Sequence, residues 1–236
     1  MVSHDLETIR KDLLKTYPTL HAYYNSKALV EIAGAFPVKG ESGAVLERFN
    51  IKIILGKGFP KTLPKVWEVS GRIPREIDRH MYSDGKACII HPDDRWRCFP
   101  EGSSLLDYIK GPIYNFFLSQ LYWEEYGEWP FGEWKHGRVG NYEFYRDMFG
   151  VNNNLAVHRI MRELSKTEST AGERCPCYSG KNIEDCCLEK IDDLRTKLSQ
   201  EVAKKRHESF SFEKKKTKSR RKKIKGFKER LPKRKR

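Results

Sequence analysis

Four of the chain's six cysteines fall within thirteen residues, Cys175-Pro176-Cys177-Tyr178-Ser179-Gly180-Lys181-Asn182-Ile183-Glu184-Asp185-Cys186-Cys187. No other stretch restricts folding as strongly. One residue separates the first two thiols, a Ser-Gly-Lys turn follows, and eight residues separate Cys177 from the adjacent pair. The N-terminus, Met1-Val2-Ser3-His4-Asp5-Leu6-Glu7, lacks the charged-then-apolar plan of a secretory signal. No run is apolar enough to span a bilayer. The expected compartment is therefore the cytosol, where such a cluster favours a metal ion over disulfides.

Charge divides the chain unevenly. The formal net charge is +14, from 46 Lys and Arg against 32 Asp and Glu. Residues 211–236 hold 15 basic and 2 acidic residues, a net of +13, which leaves 31 basic and 30 acidic residues to residues 1–210. This excludes a uniformly basic nucleic-acid-binding fold. The tail cannot bury a core and is expected to be disordered. Its runs, such as Lys214-Lys215-Lys216, suit phosphates through counterion release. Only Phe212 and Phe227 offer base stacking, so the tail reads as solvated or as a surface for nucleic acid, ribosome or anionic lipid. Its many lysines are also candidate acceptors of a conjugated group.

Hydrophobic periodicity gives the body a class. Leu6, Ile9, Leu13 and Tyr17 predict an amphipathic helix over 3–17, with Ser3 as N-cap and Pro18 as its stop. Strands are expected over 28–38, 45–55 and 65–70. The second alternates best, with Phe49, Ile51, Ile53 and Leu55 on one face. A helix followed by an antiparallel meander of three or four strands predicts an α+β fold. Residues 72–100 show little regular pattern, and long loops are often functional. Leu106, Ile109, Ile113, Phe117 and Leu121 then mark a helix over 103–123, with a kink expected at Pro112. Residues 124–150 are rich in aromatics and glycine. Helices are expected again over 151–168 and from Leu188 to about Lys205.

The irregular region contains His80-Met81-Tyr82-Ser83-Asp84-Gly85-Lys86-Ala87-Cys88-Ile89-Ile90-His91. Taken alone, a cysteine between Ala87 and Ile89 reads as a small buried hydrophobe. Cys98, near Trp96, reads as a non-catalytic thiol. The aromatic residues of 122–145 read as core or partner surface.

The order of features around Cys88 resembles the ubiquitin-conjugating enzyme fold in its bacterial form. The likeness covers roughly residues 3–150. Phe59-Pro60-Lys61-Thr62-Leu63-Pro64-Lys65-Val66 is similar to that family's proline-rich approach to its third strand. Tyr82-Ser83-Asp84-Gly85-Lys86-Ala87-Cys88-Ile89 is similar to its active-site line, and Trp96 stands at the spacing where the family often has Trp. Trp129 to Tyr145, including Phe131-Gly132-Glu133 and His136-Gly137, is similar to extensions of prokaryotic members. One departure is plain. Eukaryotic members carry His-Pro-Asn before the cysteine; here Met81-Tyr82 follow His80, and the Asn that would steady an oxyanion is absent, as it often is in bacterial members.

The resemblance implies a transferase in which Cys88 accepts the C-terminus of a protein as a thioester and passes it to a lysine. A free thiol ionises near pH 8.5, so a few per cent is nucleophilic thiolate near neutrality. Positive charge on His80, Lys86 or His91 would raise that fraction. Backbone N–H groups near Gly85, or Tyr82 or His80, would donate to the tetrahedral oxyanion. Asp84, Asp93 or Asp94 would take the proton of the incoming amine. Relatives of this kind occur in bacterial antiphage operons, including those in which a cGAS-like nucleotidyltransferase is the conjugated partner, and an activating enzyme can be required. The alternative is a non-catalytic adaptor of the same fold that docks protein or nucleic acid.

Residues 175–187 resemble the SEC-C zinc knuckle, with Tyr178 where glycine is common. That resemblance implies one structural Zn²⁺ on Cys175, Cys177, Cys186 and Cys187, a closed tetrahedral site with no open position for chemistry. The expected organisation is a conjugating-enzyme-like domain over 1–150, a helical linker over 151–170, the knuckle over 171–190, and a charged helix with the basic tail over 191–236.

Overall fold

The computed structural model describes residues 5–130, 137–169 and 171–210. The chain divides into two compact units, Met1–His136 and Gly137–Arg236. Ser3, Phe131-Gly132-Glu133, His136 and the basic tail lie outside the described residues.

The first unit opens with α1 (Leu6–Thr16), which buries Leu6, Ile9 and Leu13. The N-cap is Asp5, not the expected Ser3. Its carboxylate accepts from the N–H groups of Glu7 and Thr8, satisfying donors that the first turn leaves free. Four antiparallel strands follow in simple order: β1 (Leu20–Tyr24), β2 (Val30–Lys39), β3 (Val45–Ile54) and β4 (Lys65–Glu68). The register sets Phe36 opposite Phe49, Ile32 opposite Ile53, and Ile53 opposite Val66. Phe49, Ile51 and Ile53 all turn inward, as the alternation of β3 requires. The strand the sequence pattern misses is β1, whose inward set is only Leu20 and Ala22. It packs closely on β2 at Gly34, where φ is +145° and any Cβ would lie 2.0 Å from the Thr19 carbonyl oxygen.

A short helix, α2 (Arg95–Cys98), precedes α3 (Leu105–Tyr108). Ser104 and Asp107 cap α3 reciprocally, in a capping box. The helix then widens into a π turn, Ile109–Ile113, before continuing as α4 (Tyr114–Tyr126). Pro112 sits inside that turn, and the Tyr114 N–H reaches back to Ile109. The widening accommodates a residue that has no N–H and would crowd an ordinary α turn. Phe117 lies fully buried, 4.7 Å from Phe49 and 5.7 Å from Phe36 between ring centroids. Helix and sheet thus share one core, and the unit is α+β.

The second unit contains α5 (Gly137–Phe149), α6 (Asn154–Leu164), α7 (Leu188–Lys197) and a last helix, α8, over residues 200–210. Gly137 and Gly140 lower the helix propensity of α5, which obscures it in the sequence. Asn153 caps α6 through the Ala156 N–H, at 2.8 Å. Phe210 of α8 stacks on Tyr142 of α5 at 4.2 Å. None of the helices is long and apolar enough to cross a membrane, among the described residues.

Candidate functional site

Between β4 and α3 the backbone is irregular but tightly bonded. Residues Ile77–Arg79 form one 3₁₀ turn, closed by His80 in the left-handed region at φ +51°. Tyr82 then opens a small hairpin. Its N–H donates to the Lys86 carbonyl at 2.8 Å, and the Gly85 N–H donates to the Tyr82 carbonyl at 2.9 Å. Gly85 has φ +79°, and a Cβ there would lie 2.9 Å from the Glu68 carbonyl oxygen. The second arm of the hairpin lies along β4: Ala87 N–H donates to Val66 at 2.8 Å, and Glu68 N–H donates to Gly85 at 3.0 Å. Cys88 ends this arm, its N–H donating to the His80 carbonyl at 2.8 Å.

The Cys88 side chain is half-buried. Burial pushes its thiol above the ordinary value; a hydrogen bond with the Tyr82 hydroxyl and the Lys86 ammonium act in the opposite direction. The Lys86 nitrogen stands 4.2 Å from the centre of the Tyr82 ring. Tyr82, 43% exposed, thus interacts electrostatically with Cys88 and has its ring under a cation. Tyr108 is buried, and burial first, then Cys88 and Cys98, drive its pKa up.

The other predicted residues are placed differently. The His80 ring packs on Trp129 at 4.7 Å between centroids, and its backbone is what meets Cys88. Asp84 is exposed; its carboxylate accepts from the Lys86 N–H at 3.0 Å and bonds Trp67, which hold its pKa low. The His91 Nδ1 accepts from the Asp93 N–H at 3.3 Å and so caps the turn Pro92–Asp94. Asp94 is buried, 2.6 Å from Arg97, and accepts from the Cys98 thiol at 3.4 Å. Burial and that carboxylate push Cys98 up to about 11.

A polar cluster that the sequence pattern misses holds this segment in place. Arg79 is buried, its Nε donating to Gln120 at 2.9 Å and its Nη2 to Glu124 at 3.0 Å. Gln120 returns a bond to the Arg79 carbonyl at 2.9 Å. The guanidinium lies 4.2 Å from the Trp123 ring centre, and Arg72 grips Glu124 through two bonds of 2.8 Å. The one cue in the sequence is a glutamine on the apolar face of α4, three residues after Phe117.

In the second unit Cys175, Cys177, Cys186 and Cys187 converge, with all four sulfurs within 4.8 Å of one another. Neighbouring sulfurs lie 3.3, 3.6 and 3.6 Å apart. A tetrahedral ion with metal–sulfur bonds of about 2.3 Å needs sulfurs about 3.8 Å apart, so the set fits a metal ion. Tyr178 has φ +69°, the left-handed conformation that favours glycine, and the Arg159 guanidinium covers its ring at 4.2 Å. Burial opposes the Cys177 thiolate, yet bonds from Ser179 and Cys175 bring it down to about 6, while burial and its sulfur neighbours push Cys187 up.

Comparison with known proteins gives no match: no family model, no characterised protein and no solved structure matches the chain.

Proposed function

We propose that the first unit is a ubiquitin-conjugating-like transferase and that Cys88 carries the acyl group. The observation that carries this reading is the setting of the sulfur. Cys88 terminates a glycine-turned hairpin on β4, between a helix–meander body and a capped helix, with a hydroxyl and a cation acting on its thiol. The acyl donor would be the thioester of a protein C-terminus, and the acceptor a lysine amine. Thiol-to-thioester exchange needs only a modest thiolate fraction, which suits a cysteine whose pKa is not depressed.

The four-cysteine loop is proposed to hold one structural Zn²⁺, as in SEC-C knuckles, and to dock a partner. Bacterial antiphage defence in the cytoplasm is the proposed setting, with a cGAS-like nucleotidyltransferase as the conjugated protein. Incubation with an activating enzyme and a candidate partner should give an adduct lost on reduction. The same adduct in Cys88→Ala refutes the assignment.

A second reading has one observation in its favour. Burial dominates at Cys88 and keeps the thiol neutral, as in an adaptor that uses the fold only for docking. An inert thiol, resistant to small alkylating agents across the alkaline range, selects that reading.

A further inference from the structure

Lys86 and Cys88 stand two residues apart on one extended arm. The hairpin bonds of Tyr82 with Lys86 and of Ala87 with Val66 fix that arm. Side chains two apart on an extended backbone share a face. The structure shows part of the consequence: the Lys86 nitrogen lies 4.2 Å from the centre of the Tyr82 ring, and Tyr82 and Lys86 both favour the thiolate of Cys88. A primary amine and a thiol thus stand on one face of the arm beside Tyr82, which is itself 43% exposed.

We propose that Lys86 is an internal acceptor: an acyl group loaded on Cys88 shifts from sulfur to the Lys86 nitrogen. The inference rests on the thioester reading above. In the step, the neutral Lys86 amine attacks the thioester carbonyl carbon, and the C–N bond forms. The carbonyl oxygen gains negative charge beside the Tyr82 hydroxyl, which donates to it. The C–S bond then breaks, and the sulfur leaves as thiolate. The proton released by nitrogen passes to that thiolate, so a free thiol and an amide result. No oxidant or further reactant is needed beyond the thioester.

One feature favours this acceptor. The fixed hairpin makes the attack intramolecular, which replaces the search for a second molecule by a small side-chain movement. The product would be a protein blocked at its own site by a bond that reductants cannot cleave.

The test uses the full chain and a short peptide benzyl thioester as acyl donor, near pH 8. The expected result is a reductant-sensitive adduct at Cys88 that converts to a reductant-resistant amide, which peptide mapping places on Lys86. Lys86→Arg keeps the cation but not the nucleophile, and should lower the ratio of resistant to sensitive adduct at least tenfold. In Cys88→Ala, Lys86 should stay unmodified; acylation there at the wild-type rate overturns the shift. A Cys88 thioester that persists without Lys86 acylation overturns the shift alone. Failure of Cys88 to load at all overturns the thioester reading as well.

Discussion

Replacing Arg79 with alanine is the sharpest perturbation of the fold around the site. Arg79 and Gln120 are both buried, and Gln120 would lose the only donor to its Oε1 that the described residues show. An orphaned buried acceptor costs about 1–3 kcal/mol. Loss of the cation over Trp123 adds about 0.5–2 kcal/mol. Glu124 keeps both bonds from Arg72, which limits the further loss. The sum is about 1.5–5 kcal/mol, reaching the range for breaking a buried ion pair. For a unit of this size that is a fall of about 5–20 °C in melting temperature. Tryptophan fluorescence is the proper assay, because all five tryptophans lie in residues 1–136, the span of this unit. Arg79 also precedes His80, whose carbonyl holds the Cys88 N–H. Alkylation of Cys88 should therefore quicken in the variant as burial is lost. Arg79→Lys should recover little, since a point charge cannot serve Gln120 and Glu124 together. A melting temperature within 2 °C of the parent (roughly 0.5 kcal/mol) would show that the buried Arg79 cluster does not stabilise the unit.

Three further outcomes follow from the geometry. Gly85→Ala should cost about 1–2 kcal/mol for the left-handed backbone alone, with more from the approach to Glu68, read as a lower denaturation midpoint. Burial raises the Cys88 pKa, so its alkylation rate should climb with pH and reach half its maximum above the ordinary thiol value; Tyr82→Phe removes a bond that favours thiolate and should move that midpoint higher still. Chelation, or Cys175→Ser, should make residues 171–190 sensitive to protease, read by mass mapping of the fragments.

The legible parts of this chain are those where one local rule suffices. Alternation in β3 names its buried face because a strand's side chains repeat every two residues. The cysteine spacing gathers four thiols in the structure because a loop that short brings its ends together by itself. What stays hidden depends on partners far along the chain. β1 shows too few inward residues to announce itself and becomes a strand by pairing with β2. Arg79 looks like any loop arginine until α4 brings Gln120, 41 residues later, against it. At Tyr178 the resemblance already marks a position where glycine is common, and φ is +69° there; what stays hidden is Arg159, which comes from α6 to stack over the ring. At the candidate site, the position of Cys88 on the hairpin follows its local turn. The ranking of its neighbours does not: Tyr82 meets the sulfur, whereas His80, Asp84 and His91 serve the backbone or other rings.

The π turn at Ile109–Ile113 sets the phase of everything after it. A π turn holds one residue more than the α turn it replaces, so it rotates the following helix by about 100° relative to the preceding one. Leu105 and Tyr108 before it, and Phe117 and Gln120 after it, all face inward only because that offset is present. Deleting Gly111 would leave the composition of the helix nearly untouched and turn α4 like a dial. Gln120 would leave Arg79 and Phe117 would leave Phe49, so a single missing glycine outside the site would erase the scaffold that presents Cys88.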